Sequence, residues 1–104
     1  MIVEQRTYTL HPGRGPDYLA IYGEETYAAS QRILGNMIGV FTTEIGELNQ
    51  FITMVAYDSW EERAERRRQL RADPAYLRYS PQVRPMIVRQ ESKILIPAPF
   101  APLK

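Results

Sequence analysis

The chain has 104 residues, 44% of them hydrophobic, with a formal net charge of +1 and no cysteine. This length suits a single domain over residues 1–104, the near-neutral charge gives no field that would attract nucleic acid, and the lack of cysteine excludes disulfides, thiolate metal sites and a cysteine nucleophile. Because no apolar stretch is long enough to cross a membrane and no apolar segment follows the opening MIVEQR, we expect a cytoplasmic protein without a signal peptide.

The first predicted element is a β-strand over Ile2–Leu10, which ends before the turn at Pro12-Gly13. Alternation divides its side chains into two faces, one with Ile2, Glu4, Arg6, Tyr8 and Leu10 and the other with Val3, Gln5, Thr7 and Thr9. Neither face is purely apolar. We therefore expect both faces of the strand to be covered, with some polar groups inside.

A helix is predicted to begin at Pro16, a residue suited to the first helical position, and to stop at Gly35-Asn36. Gly23 weakens its middle by about 1 kcal/mol relative to alanine. The inward stripe of this helix is predicted to contain Tyr18, Ile21, Tyr22, Ala28 and Ala29.

Two runs rich in β-branched and aromatic residues, Ile38–Ile45 and Asn49–Tyr57, predict a β-hairpin with a turn of sequence GEL. Ser59 and Glu62 then fit a capping box. In it the Ser59 hydroxyl accepts from an exposed helix amide, and Glu62 accepts from the amide of Ser59. The helix that follows is predicted over Trp60–Ala72.

Asp73-Pro74 is a second helix-start signal, and it predicts a short helix over 75–79. Pro81 and another proline four residues later are expected to interrupt the chain. The last strand is predicted over Met86–Ile96. The proline-rich tail, residues 97–104, is expected to be extended and cannot form a central strand.

The predicted order is strand, helix, strand, strand, helix, strand, which is the ferredoxin-like β-α-β-β-α-β pattern of an α+β protein. Right-handed crossovers place the first and third strands in the centre of one antiparallel sheet, with the helices on one face. The other face is still partly apolar and needs a partner. We therefore expect a homodimer in which two sheets join, with the tail reaching over the junction.

The residues resemble the NIPSNAP family over nearly the whole chain. The matching segments are RTYTL followed by PG at 6–13, LGN at 34–36, GVFTTEIGELNQ at 39–50, AYDSWEER at 56–63, ADPAY at 72–76 and QESKILIPAPF at 90–100. The resemblance implies a dimeric α+β barrel, a homodimer, and relatives whose molecular activity is mostly unknown. Related barrel families include cofactor-free monooxygenases, haem-degrading enzymes and small-molecule isomerases, an analogy at the level of fold.

Two positions depart from the pattern that the resemblance implies. Thr53 stands where histidine is common in the family, and Val55 stands where tryptophan is common. If that histidine carries activity in relatives, the same activity is not implied for this chain.

The single histidine, His11, lies in a turn without a nucleophile motif or further ligands, so we interpret it as a loop residue. No glycine-rich phosphate loop is present. We therefore expect no metal, no nucleotide and no other cofactor.

A basic run is predicted on the helix after the hairpin, at Arg63, Arg66, Arg67, Arg68 and Arg71. Acidic residues match it, and the pairs Glu62–Arg66 and Glu65–Arg68 have helical spacing. We interpret the run as a solvated helix face whose charges pair with one another, rather than as a nucleic-acid surface.

Arg6 and Tyr8 on the central first strand are the main candidates for a site. If the faces of neighbouring strands coincide, they point into a cavity between sheet and helices. Its predicted walls are Tyr22, Phe51, Thr53, Val55, Tyr57 and Trp60. A buried arginine needs a counter-charge, for which the candidates are Glu4, Glu44 and Glu91. Glu44 and Glu91 are also the candidate acid or base.

Two functions fit these residues. In the first, the protein binds or transforms a small apolar, oxygenated molecule, and Arg6 holds a carboxylate, phenolate or enolate. In the second, it is a non-catalytic structural or interaction module whose barrel interior is packed solid.

Overall fold

A computed structural model describes residues 1–103. Four strands, β1 (Ile2–Leu10), β2 (Asn36–Thr42), β3 (Gln50–Tyr57) and β4 (Ile87–Leu95), form one antiparallel sheet in the order β2-β3-β1-β4. The predicted α+β, ferredoxin-like fold with the first and third strands at the centre is confirmed.

The helices lie between the strands in chain order. The first crossover consists of α1 (Gly15–Ile21), a π-helical turn (Tyr22–Thr26) and α2 (Tyr27–Leu34). The second consists of α3 (Trp60–Ala72), α4 (Pro74–Val83) and a short 3-10 turn (Arg84–Met86). Within residues 1–103, no helix has the length and the apolar character that crossing a bilayer requires.

The register of the central strands decides which side chains share a face. Opposite pairs across β1 and β3 are Ile2 with Tyr57, Glu4 with Val55, Arg6 with Thr53 and Tyr8 with Phe51. Residues directly opposite each other project to the same side of a sheet. These eight side chains therefore lie on one face, and the helices cover it.

Two apolar clusters fill the space between this face and the helices. One contains Leu10, Tyr18, Tyr22, Phe51, Tyr79, Val83 and Met86. The other contains Ile2, Ile33, Leu34, Val55, Tyr57 and Leu70. The polar residues of the same face, Glu4, Arg6 and Thr53, lie between the apolar residues of β1 and β3.

The π-helical turn changes the inward stripe of the first crossover. A π turn takes in one more residue than an α turn, so the buried positions recur every four residues at Tyr18, Tyr22, Thr26 and Ser30. The prediction that Ala28 faces inward is wrong, because this shift leaves it exposed.

The hairpin loop is longer than predicted. β2 ends at Thr42 rather than at Ile45, and residues 43–49 form the loop. Gly46 and Asn49 both have positive φ, at 122° and 64°, a backbone that ends strand pairing. The predicted strand residue Ile45 is therefore almost fully exposed.

Two helix ends also differ from the predictions. The Ser59 hydroxyl accepts from the amide of Glu62, but the Glu62 carboxylate accepts from the amide of Asp58, not from that of Ser59. α4 does not stop before Pro81 but continues to Val83. This additional helical turn is stabilised because Val83 is buried in the core.

The outer face of the sheet carries the C-terminal tail. Pro97 and residues 101–103 of the tail lie near Val3, Met54 and Leu95. Phe41, opposite Ile52 on the same outer face, stays 46% exposed. This apolar face is therefore only partly covered within one chain.

Candidate functional site

A buried carboxylate, Glu4, lies at the centre of the polar residues on the helix-covered face. Its side chain is 1% exposed. Arg63 donates to it through Nε and Nη2 at 3.1 and 2.8 Å, Ser92 through its hydroxyl at 2.6 Å, and Arg6 through Nη1 at 3.2 Å. Burial opposes ionisation, but the bonds from Arg63 and Ser92, with the charges of Arg67 and Arg6, lower the pKa of Glu4 to about 2.

Arg6 connects this carboxylate to Tyr8. Its Nε donates to the Tyr8 hydroxyl at 3.1 Å, and its guanidinium lies 5.6 Å from the centre of the Tyr8 ring. Burial lowers the pKa of Arg6, but Tyr8 and Glu4 outweigh that effect and raise it. Since an arginine only donates, the Tyr8 hydroxyl accepts this bond and keeps its own proton for another acceptor.

A cavity of about 40 Å³ lies beside Arg6, between the sheet and the helices. Strand residues form one wall, and residues of the π turn, α2, α3 and α4 form the other. Its lining includes Arg6, Tyr8, Tyr22, Thr26, Ser30, Phe51, Thr53, Arg67, Tyr76 and Tyr79. Within the described part of the chain, no aspartate or glutamate lines it.

A larger cleft of about 200 Å³ adjoins the cavity. The two spaces share Arg6, Tyr8, Tyr76 and Tyr79. Tyr18, Ser80, Val83, Arg84, Ile87 and Gln90 complete the lining of the cleft. Arg6 and Tyr8 therefore present polar groups to both spaces.

Aromatic side chains hold the apolar part of the site in place. Phe51 lies 4.5 Å from Tyr18 and 4.9 Å from Tyr22, measured between ring centres. The hydroxyls of Tyr18 and Tyr79 are hydrogen-bonded to each other in the core. Burial raises the pKa of both phenols, so they remain neutral donors at ordinary pH.

The structure brings together five of the eight predicted wall or anchor residues. Arg6, Tyr8, Tyr22, Phe51 and Thr53 all line the cavity. Val55 and Tyr57 lie on the same face of the sheet but pack in the other apolar cluster.

Trp60 does not belong to the site. The prediction that it faces inward is wrong, because its side chain is 57% exposed at the first turn of α3. The inward positions of that helix are Arg67 and Leu70 instead.

The two candidate acid–base residues also lie elsewhere. Glu44 is exposed in the hairpin loop. Glu91 pairs with Arg89 at 3.1 Å and stands opposite Thr7, which places it on the outer face of the sheet. The counter-charge of Arg6 is therefore Glu4, the first of the three residues considered.

Sequence reasoning missed Arg67. The spacing of Glu62, Glu65 and their neighbours made the whole basic run look self-paired, yet Arg67 is only 8% exposed and lines the cavity. The available signal was its position three residues before the apolar Leu70, on the same helix face.

No metal centre is apparent in the part of the chain that the structure describes. No group of three or more His, Cys, Asp or Glu side chains within residues 1–103 could hold an ion. His11 is exposed in the turn after β1.

The model of the NIPSNAP family matches residues 3–102. Protein NipSnap homolog 3B of Homo sapiens is 33% identical over 107 residues, a match that covers 99% of this chain and 42% of that protein. The chain thus spans less than half the length of this curated relative.

Solved structures show the same relationship. A NIPSNAP family protein from Agrobacterium tumefaciens is 42% identical, with a TM-score of 0.94 over 99% of this chain and 98% of that one. An antibiotic biosynthesis monooxygenase is only 11% identical, with a TM-score of 0.67 over 95% of this chain and 100% of that one. The second likeness concerns the fold alone.

Proposed function

Because this chain belongs to the NIPSNAP family, we propose a function for the site that its fold builds around Arg6. The protein binds a small apolar, oxygenated molecule between the sheet and the helices, and Arg6 is the polar anchor. An apolar pocket with a few convergent polar groups is the usual form of a small-molecule site.

The observation that carries this proposal is the placement of Arg6 between two open spaces. Its Nε and Nη1 are engaged with Tyr8 and Glu4, while among the described residues Nη2 makes no hydrogen bond. With the free proton of Tyr8, this leaves at least two donors for an oxygen of a ligand. The cleft is lined mainly by polar groups, and Tyr76, Val83 and Ile87 supply its apolar surface for the body of the ligand.

A second candidate, the structural module, is favoured by a different observation. Arg6 is already paired with Glu4, and the inner cavity is small, at about 40 Å³. In a structural module, these polar residues stabilise the fold and bind no ligand.

A thermal-shift screen of small carboxylates, with benzoate as the first probe, separates the two functions. We expect benzoate to raise the melting temperature of the wild type, and Arg6→Gln to weaken its binding by about tenfold or more, because a charge-assisted bond is lost. Arg6→Gln leaves Glu4 paired with Arg63. The matched control is Arg78→Gln, which removes an exposed arginine paired with Glu25.

If Arg6→Gln keeps the benzoate shift, Arg6 is not the anchor. If no small carboxylate shifts the wild type, the structural module is the better account. If Arg78→Gln loses the benzoate shift to the same extent as Arg6→Gln, the shift comes from general charge effects.

We further infer that the working unit is a homodimer formed through the outer faces of two sheets. Phe41 is 46% exposed there, and Leu95 stays 38% exposed although the tail of the same chain lies near it. Burying such a face against a second copy removes apolar area from water.

A further inference from the structure

A second arginine, Arg67, lines the cavity beside Arg6. Arg67 is 8% exposed on α3. Its neighbours Arg66 and Arg68 pair with Glu62 and Glu65. Among residues 1–103, Arg67 forms no ion pair, and burying an unpaired charge costs free energy.

Glu4 compensates for this charge only in part. It forms ion pairs with Arg6 and Arg63 but none with Arg67, whose charge nevertheless also lowers the pKa of Glu4. Three guanidinium groups thus share a single carboxylate, which leaves a formal excess of two positive charges. An anion placed between them would be stabilised by that excess.

A hydroxyl group of the cavity also lacks a partner. The Thr26 hydroxyl lines the cavity, is buried, and has no hydrogen-bond partner within the described residues. Buried polar groups are normally hydrogen-bonded, so the Thr26 hydroxyl is free to donate to an anion in the cavity.

We propose that this inner cavity is a carboxylate subsite in which Arg6 and Arg67 hold the anion and the Thr26 hydroxyl donates to it. The inference rests on the proposed function and narrows its ligand to a small monocarboxylate. The volume of about 40 Å³ corresponds to roughly three waters, which admits a carboxylate group but not a ring. The apolar body of the ligand then lies in the adjoining cleft, past Tyr8 and Tyr79.

Formate tests the subsite without the cleft, because it is a carboxylate with no apolar body. Formamide is its neutral counterpart of similar size. We expect formate, at matched ionic strength, to raise the melting temperature of the full chain more than formamide does. Arg67→Gln should remove this difference, whereas the control Arg71→Gln, an exposed arginine on the same helix, should keep it.

A second measurement uses the wild type alone, in case Arg67→Gln does not fold. Crystals soaked in bromide should show an anomalous peak inside the cavity, between the guanidinium groups of Arg6 and Arg67. A cavity without that peak, or equal stabilisation by formate and formamide, would overturn the subsite. If Arg67→Gln keeps the benzoate shift that Arg6→Gln loses, the subsite is wrong while the proposed function stands.

Discussion

At the scale of single residues, the ionised state of Glu4 links the fold to pH. Its pKa is lowered from 4.5 to about 2 by its partners in the folded chain. Since the folded pKa is the lower one, the Glu4 charge stabilises the fold above about pH 4.5, and this contribution is lost as the pH falls towards 2. The shift corresponds to roughly 3 kcal/mol.

Glu4→Gln is therefore expected to lower the free energy of unfolding by about 3 kcal/mol near neutral pH, because it removes the counter-charge of the half-buried Arg6 and Arg63. Urea unfolding of both proteins from about pH 7 to about pH 2 measures this. The difference between wild type and variant should shrink below about pH 4. Glu61→Gln, at an exposed position, is the control. A difference that stays constant over the whole range would contradict the assignment.

At the scale of helices and strands, α4 carries a proline that its fold tolerates. Pro81 lies inside the helix, where it lacks the amide that would bond to the carbonyl of Leu77. Leu77 is 57% exposed, so water can satisfy that carbonyl. The burial of Val83 outweighs the remaining cost.

Pro81→Ala should consequently stabilise the protein by about 1 kcal/mol or more, since a helical hydrogen bond is restored and alanine has the highest helix propensity. Chemical denaturation gives the value. Pro85→Ala is the matched control, because Pro85 lies in the 3-10 turn near its start. If Pro81→Ala does not gain stability, or if Pro85→Ala gains as much, Pro81 does not destabilise the helix.

The helices and strands also show how much of this fold the sequence predicts. β1 and α3 have the predicted bounds, because alternation marks the strand and the Ser59 cap marks the helix. The π turn was not predictable from local pattern, since Gly23 weakens an α-helix and a π turn alike. The burial of Arg67 was missed for a related reason, because the spacing of charges along a helix does not show which of them packs against the sheet.

At the scale of the whole molecule, the partly covered outer face predicts a dimer. Sedimentation of the wild type at micromolar concentration should give dimers. Phe41→Asp should give monomers, because it places a charge on the buried face of the joined sheets. Leu77→Asp, at a comparably exposed position on α4, should not change assembly.

Removing residues 97–104 should weaken the dimer, since Pro97 and residues 101–103 lie on the same face. Monomers of the wild type, or an equal effect of Phe41→Asp and Leu77→Asp, would show that the outer face does not mediate association.

The central claim is that the space around Arg6 receives the polar group of a ligand. A crystal structure of the wild type soaked in benzoate tests it most directly. We predict the carboxylate beside Arg6 and Arg67, with the ring in the cleft bounded by Tyr8, Tyr76 and Tyr79. Benzoate found only on the outer surface, with the cavity closed by its own side chains, would contradict the claim.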